Sequence, residues 1–143
     1  MTPARTARSL LLLAVLATLA VLASCKSTGP VDITGLTPAE IFQRAQTASD
    51  GSDFRRALAI YEAFLAQPDV DPDREAWARY EVGLLHHKMG DDAAALASFD
   101  DLLALYATNP QLPEGPKILA ASVTAAILEK RAKKTPATTE TKP

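Results

Sequence analysis

Cysteine occurs once in the 143 residues, at Cys25. That rules out an internal disulfide and a cysteine-rich zinc site. Histidine occurs twice, as the adjacent pair His86 and His87. Neighbours on a helix point about 100° apart, so the two cannot readily share one metal ion, and no metal is expected. With six glycines the chain has no glycine-rich phosphate loop and no G-x-S-x-G nucleophile elbow. Positive charge is also scarce. Residues 26–116 carry 7 basic and 15 acidic side chains, net −8, while residues 117–143 carry 6 basic and 2 acidic, net +4. A basic nucleic-acid face is therefore not expected. Nor is an enzyme or a small-molecule substrate, since the remaining Asp and Glu residues fit helix caps and solvated helix faces.

One long apolar run is present. Arg5 and Arg8 precede Ser9–Ala23, which is apolar apart from Ser9 and Thr18. As a helix those residues reach about 22 Å at 1.5 Å per residue, short of the roughly 30 Å bilayer core. This is the layout of an export signal over residues 1–24. Leu22-Ala23-Ser24-Cys25 resembles the bacterial lipobox: an aliphatic residue, two small ones, then the cysteine to be modified. The resemblance implies a lipoprotein whose mature chain starts at Cys25, bearing diacylglycerol and an N-acyl chain such as palmitate, and needing no other cofactor. Several acyl chains at about 0.8 kcal/mol per buried CH₂ hold a protein to a membrane without a spanning helix. An uncleaved anchor with an incidental cysteine is the alternative. In enterobacterial lipoproteins an Asp after that cysteine favours the inner membrane. Lys26 stands there, so the resemblance implies the outer membrane, facing the periplasm.

After Cys25, residues 25–36 read as a flexible tether, broken by Ser27, Thr28, Gly29, Pro30 and Gly35. Residues 133–143 have no large apolar side chain and read as a disordered tail. Between them the punctuation predicts an all-α domain of about five helices over residues 37–132. Thr37-Pro38-Ala39-Glu40 has the form of a capping box. Asp53, Asp71 and Asp91 each stand where an N-cap is needed, and Gly90 closes the third helix. The fifth helix, about 116–132, is expected to bury Leu119, Val123, Ala126 and the stem of Lys130.

Residues 41–67 align with 79–105 without a gap, at an offset of 38. Small residues coincide at Ala45 and Gly83 and at Ala57 and Ala95; aromatics coincide at Tyr61 and Phe99. This pattern resembles the tetratricopeptide repeat, whose usual period is about 34 residues. The resemblance implies antiparallel helical hairpins stacked as a short solenoid, with repeats near 38–67 and 72–106 and a capping helix. The aromatic that the family carries in its first helix is absent at Ile41 and Arg79. Together with the lipobox, residues 38–120 look like the tetratricopeptide lipoproteins of outer-membrane β-barrel assembly and Tol–Pal envelope maintenance. That likeness implies an interaction module for other envelope proteins, or else a structural subunit of an envelope complex or homo-oligomer.

In that family the first helix of each repeat faces a concave peptide groove. The corresponding positions are Phe42, Gln46 and Ser49 in the first repeat and Trp77, Tyr80, Leu84 and His87 in the second. Two readings of the second stripe stay open: a partner-binding face, or core beneath the fifth helix. The basic end Lys130–Lys134 either complements the helix dipole or attracts anionic lipid or an acidic partner.

Overall fold

The computed structural model describes residues 30–134. The expected export signal over residues 1–24, Cys25, the expected tether through Gly29 and residues 135–143 lie outside the described residues. Within them the chain forms five helices and no strand: α1 (Pro38–Asp50), α2 (Phe54–Leu65), α3 (Pro72–Lys88), α4 (Asp92–Thr108) and α5 (Glu114–Lys134). No helix among the described residues is long and apolar enough to cross a membrane.

The helix starts follow their capping side chains. The Glu40 backbone N–H donates to Thr37 Oγ1 at 3.3 Å, and the Thr37 N–H donates back to Glu40 Oε2 at 2.8 Å. The carboxylates of Asp53, Asp71 and Asp91 accept from the N–H groups of Arg56, Arg74 and Ala94. Each cap satisfies a donor that the first helical turn would leave open. At the turn after α3, Gly90 takes φ +85°; 38 residues earlier, Ser52 takes φ +60° at the equivalent place. The same left-handed step is thus made once by glycine and once by a side chain that disfavours it.

Consecutive helices pack in sequence as antiparallel neighbours. Phe42 stands against Phe64 and Gln46 against Tyr61, which sets α1 on α2. Lys88 lies over the Phe54 ring. Tyr80 stacks on Phe99 and His87 meets Asp92, while Lys117 covers Tyr106 and Lys130 reaches Asp92 from α5. Two apolar clusters result. The first joins Ile41, Ala45, Ala57, Ile60, Tyr61 and Phe64 to Ala78 and Leu85 of α3. The second joins Ala76 and Tyr80 of α3 to Ala95, Phe99, Leu102 and Tyr106, and to Ala120 and Ile127 of α5. α3 is therefore buried on two sides and links the clusters.

The small residues act where helices come closest. Ala45, Ala57 and Ala95 are fully buried. At Gly83 a Cβ would lie 2.4 Å from Phe99 Cε1, closer than any real contact permits.

The structure departs from the sequence reading in two places. Val31, Ile33 and Leu36, expected in the tether, pack against the first cluster, with Ile33 only 9% exposed. Asp32 fixes this segment: its carbonyl accepts from Arg44 Nη1 at 2.9 Å, and its side chain accepts from the Thr34 N–H. Three apolar residues outweigh the glycine and proline around them. The second departure is in α5, which starts at Glu114 and runs through Lys134. It buries Pro116, Ala120 and Ile127, with Val123 half-buried, whereas Leu119 is 41% exposed. The expected stripe is rotated by about one residue. Pro116 fits inside the first turn because its missing N–H would have had no partner there.

We predict that Gly83→Ala destabilises the protein by about 1–3 kcal/mol in denaturant unfolding, the cost of overpacking against Phe99 exceeding the helix propensity gained. Gly51→Ala is the control. Its added Cβ meets only backbone oxygens at 3.5 Å, at φ −73°, so it should change stability by less than about 0.5 kcal/mol. Equal effects at the two positions would contradict the close-approach argument.

Candidate partner-binding cleft

α1 and α3 run side by side in the same direction, joined at one end by the Lys88 Nζ to Ser49 Oγ hydrogen bond of 3.1 Å. Toward their N-terminal ends lies a cleft of about 300 Å³. It is lined by Pro38, Ala39 and Phe42 from α1 and by Arg74, Trp77 and Glu81 from α3. The spacing 74, 77, 81 follows one face of α3, as 38, 39, 42 follows one face of α1.

The floor is aromatic and held rigidly. The Phe42 ring meets Tyr61 edge-on at 5.2 Å and Phe64 at 5.3 Å, so its orientation is fixed by α2. Trp77 meets Tyr80 edge-on at 6.2 Å, and Tyr80 in turn stacks on Phe99. On its other side the indole lies close to α5, since a Cβ on Gly115 would come within 3.0 Å of it. The indole lies against α5, lines the cleft and is still 36% exposed.

Glu81 gives the cleft its charge balance with Arg74. Burial raises the Glu81 carboxyl above its ordinary value, against the opposing pull of the Gln46 amide and of Lys88. The Tyr61 hydroxyl, which accepts from Gln46 Nε2 at 2.9 Å, is raised by burial and then by the nearby Glu81 charge. A half-buried acid beside two aromatic rings suits a partner carrying an apolar side chain and a hydrogen-bond donor.

The residues singled out in the sequence fall in several places. Phe42 and Trp77 come together in the cleft. Gln46 stands behind it, bonded to Tyr61. Tyr80 is 8% exposed and belongs to the second core cluster, with Leu84 packed at that cluster's edge. His87 is turned toward α4, its Nδ1 2.7 Å from Asp92 Oδ1, and Asp92 also accepts from Lys130 at 3.2 Å. The bond to His87, then that to Lys130, lowers the Asp92 carboxyl below its usual range. Ser49 is buried. Cys25 lies outside the described residues. Among the described residues no group of three or more His, Cys, Asp or Glu side chains could hold a metal. The sequence reading missed Pro38, Ala39, Arg74 and Glu81; an acid four residues after Trp77 on one helix face was the available signal.

Two larger depressions, of about 400 and 440 Å³, are lined mainly by polar side chains and loop residues. One is bordered by Glu40, Arg44 and Arg56, the other by Asp71, Asp73 and Asn109. Neither has an aromatic wall. No protein-family model, curated protein or solved structure matches this chain.

A carboxyl whose folded pKa exceeds its unfolded value holds more protons when folded. Its ionisation therefore lowers stability as pH rises from about 4.3 through the folded value. We predict that Glu81→Gln removes this decline and raises the thermal midpoint at pH 7. Calorimetry from pH 4 to 7 tests this: an unchanged slope or a lower midpoint at pH 7 would show that the Glu81 charge is well compensated.

Proposed function

We propose that this protein is a membrane-anchored lipoprotein, attached through Cys25, that recruits or positions another protein of the bacterial envelope through the α1–α3 cleft. The reading is carried by one observation: the single tryptophan stands at the wall of an apolar cleft, supported from behind yet open to solvent. Large aromatic side chains in such settings supply much of the energy of protein–protein contacts. An apolar floor flanked by Arg74 and Glu81 fits an apolar side chain on a peptide or loop whose polar backbone reaches the rim.

The finer fold we propose is a short tetratricopeptide-like solenoid of two hairpins, α1–α2 and α3–α4, ended by α5. The offset of 38 residues and the shared small and aromatic positions support it. The lipobox-like Leu22–Cys25 supports the anchor, and Lys26 after the cysteine supports an outer-membrane location facing the periplasm. In this reading the partner belongs to outer-membrane assembly or maintenance, and the protein holds it rather than transforms it. A purely structural role, as a permanently buried subunit of an envelope complex, is the second reading, favoured by the apolar face exposed on α5.

Photo-crosslinking from position 42 in native membranes tests the proposal, with mass spectrometry to identify what is captured. We predict that an envelope protein is captured and that Trp77→Ala weakens its binding by about tenfold or more, as loss of an aromatic anchor does. Thermal stability should fall little, because the indole is already partly in water. Capture that is undiminished in the Trp77→Ala variant would move the binding surface away from the cleft.

A further inference from the structure

We propose that α5 pairs antiparallel with α5 of a second copy of this chain. α1 is covered by α2 and α3 by α4, whereas no later helix follows α5 among the described residues to cover it. Its inner face, Pro116, Ala120, Val123 and Ile127, is spent on α3 and α4. The opposite face presents Glu114, Ile118, Ala121, Ala125, Leu128 and Ala132, at spacings of 4, 3, 4, 3 and 4 residues. That alternation is the heptad pattern of a helix seam. A solvated face would carry charge here, yet Ile118 is 62% exposed and Leu128 52% exposed.

The seam is self-complementary when run antiparallel. Setting Ile118 opposite Leu128 of the second copy also sets Ala121 opposite the second copy's Ala125, so the large apolar residues meet each other and the central alanines meet each other. The alanines at the centre let the helices approach closely. The charges agree with this direction. Glu114 opens α5, and beside the loop that leads into it lie Asp71 and Asp73. Arg131, Lys133 and Lys134 close it. Antiparallel pairing brings each acidic end to a basic end and opposes the two helix dipoles, whereas parallel pairing would bring like ends together. The chain's own C-terminal segment does not suit this face, because residues 135–143 contain no large apolar side chain.

A single helix pair is a small interface against the roughly 1,200–2,000 Å² of stable complexes, so the dimer depends on local concentration. It uses a surface separate from the α1–α3 cleft, and its test is independent of that reading. The full chain, with a photo-crosslinking residue at position 125, is produced in cells grown first in light-isotope and then in heavy-isotope medium, so that both forms share one membrane, and is irradiated in native membranes. The expected product joins a light and a heavy copy through their 118–130 peptides, and Leu128→Asp reduces it by about tenfold or more while leaving the helical circular dichroism unchanged. The proposal is overturned by links only to residues 9–23 of the same chain, by links only to a different protein, by no mixed-isotope product, or by a mixed product that Leu128→Asp does not reduce.

Discussion

Where α3 meets α4, the Phe99 ring occupies the space that any side chain at position 83 would need. This close approach fixes the distance between the two helices, and much else follows from it. With Phe99 seated against Gly83, Tyr80 stacks on the same ring and is drawn into the second cluster. Tyr80 in turn meets the edge of Trp77 and so supports the indole that stands at the cleft. A chain of aromatic contacts thus runs from the close approach at Gly83 to the exposed large apolar side chain of α3. In the first hairpin the equivalent residues are Ala45 and Tyr61. There the added hydroxyl of Tyr61 is satisfied by Gln46 rather than left buried without a partner.

The cleft exists because the two seams beside α3 differ. On one side α5 lies along α3, and glycine at position 115 lets the indole sit close to it. On the other side the side chains of α1 and α3 leave a space between Pro38, Phe42, Trp77 and Glu81. Apolar surface left in water is a standing cost of about 25 cal/mol per Å², and Glu81 adds the cost of a carboxylate withdrawn from solvent. Both terms are relieved by an occupant that brings apolar surface and a donor. The conformational cost of binding is low, since Phe42 and Trp77 are already oriented by the rings behind them.

Much of the helix plan was legible in single residues. Thr37, Asp53, Asp71 and Asp91 are N-caps in the structure as in the sequence, because a short side chain that accepts from the next turn acts locally and needs no tertiary help. What was not legible depends on contacts distant in sequence. Nothing local distinguishes Ile33 as an anchor from Ile33 as part of a tether until α1 and α2 offer it a surface. The rotation of α5 likewise depends on α3 and α4: both Leu119 and Ala120 fit a helical pattern, and only the small Ala120 fits against the second cluster. The stripe through Trp77, Tyr80, Leu84 and His87 is helical as read, but it is wide enough to divide. Trp77 looks into the cleft, Tyr80 enters the core, and His87 turns to Asp92.

Trp77 is the only tryptophan in the chain. Its indole is half out of water, flanked by the Tyr80 ring, close to Gly115 and within the same cleft as Arg74 and Glu81. Its emission therefore reports on one place in the molecule, undiluted by other indoles. An occupant that displaces water from the cleft should shift that emission to the blue, whereas separation of α5 from α3 should shift it to the red. The cleft thus contains its own optical probe, readable in the native sequence without a label.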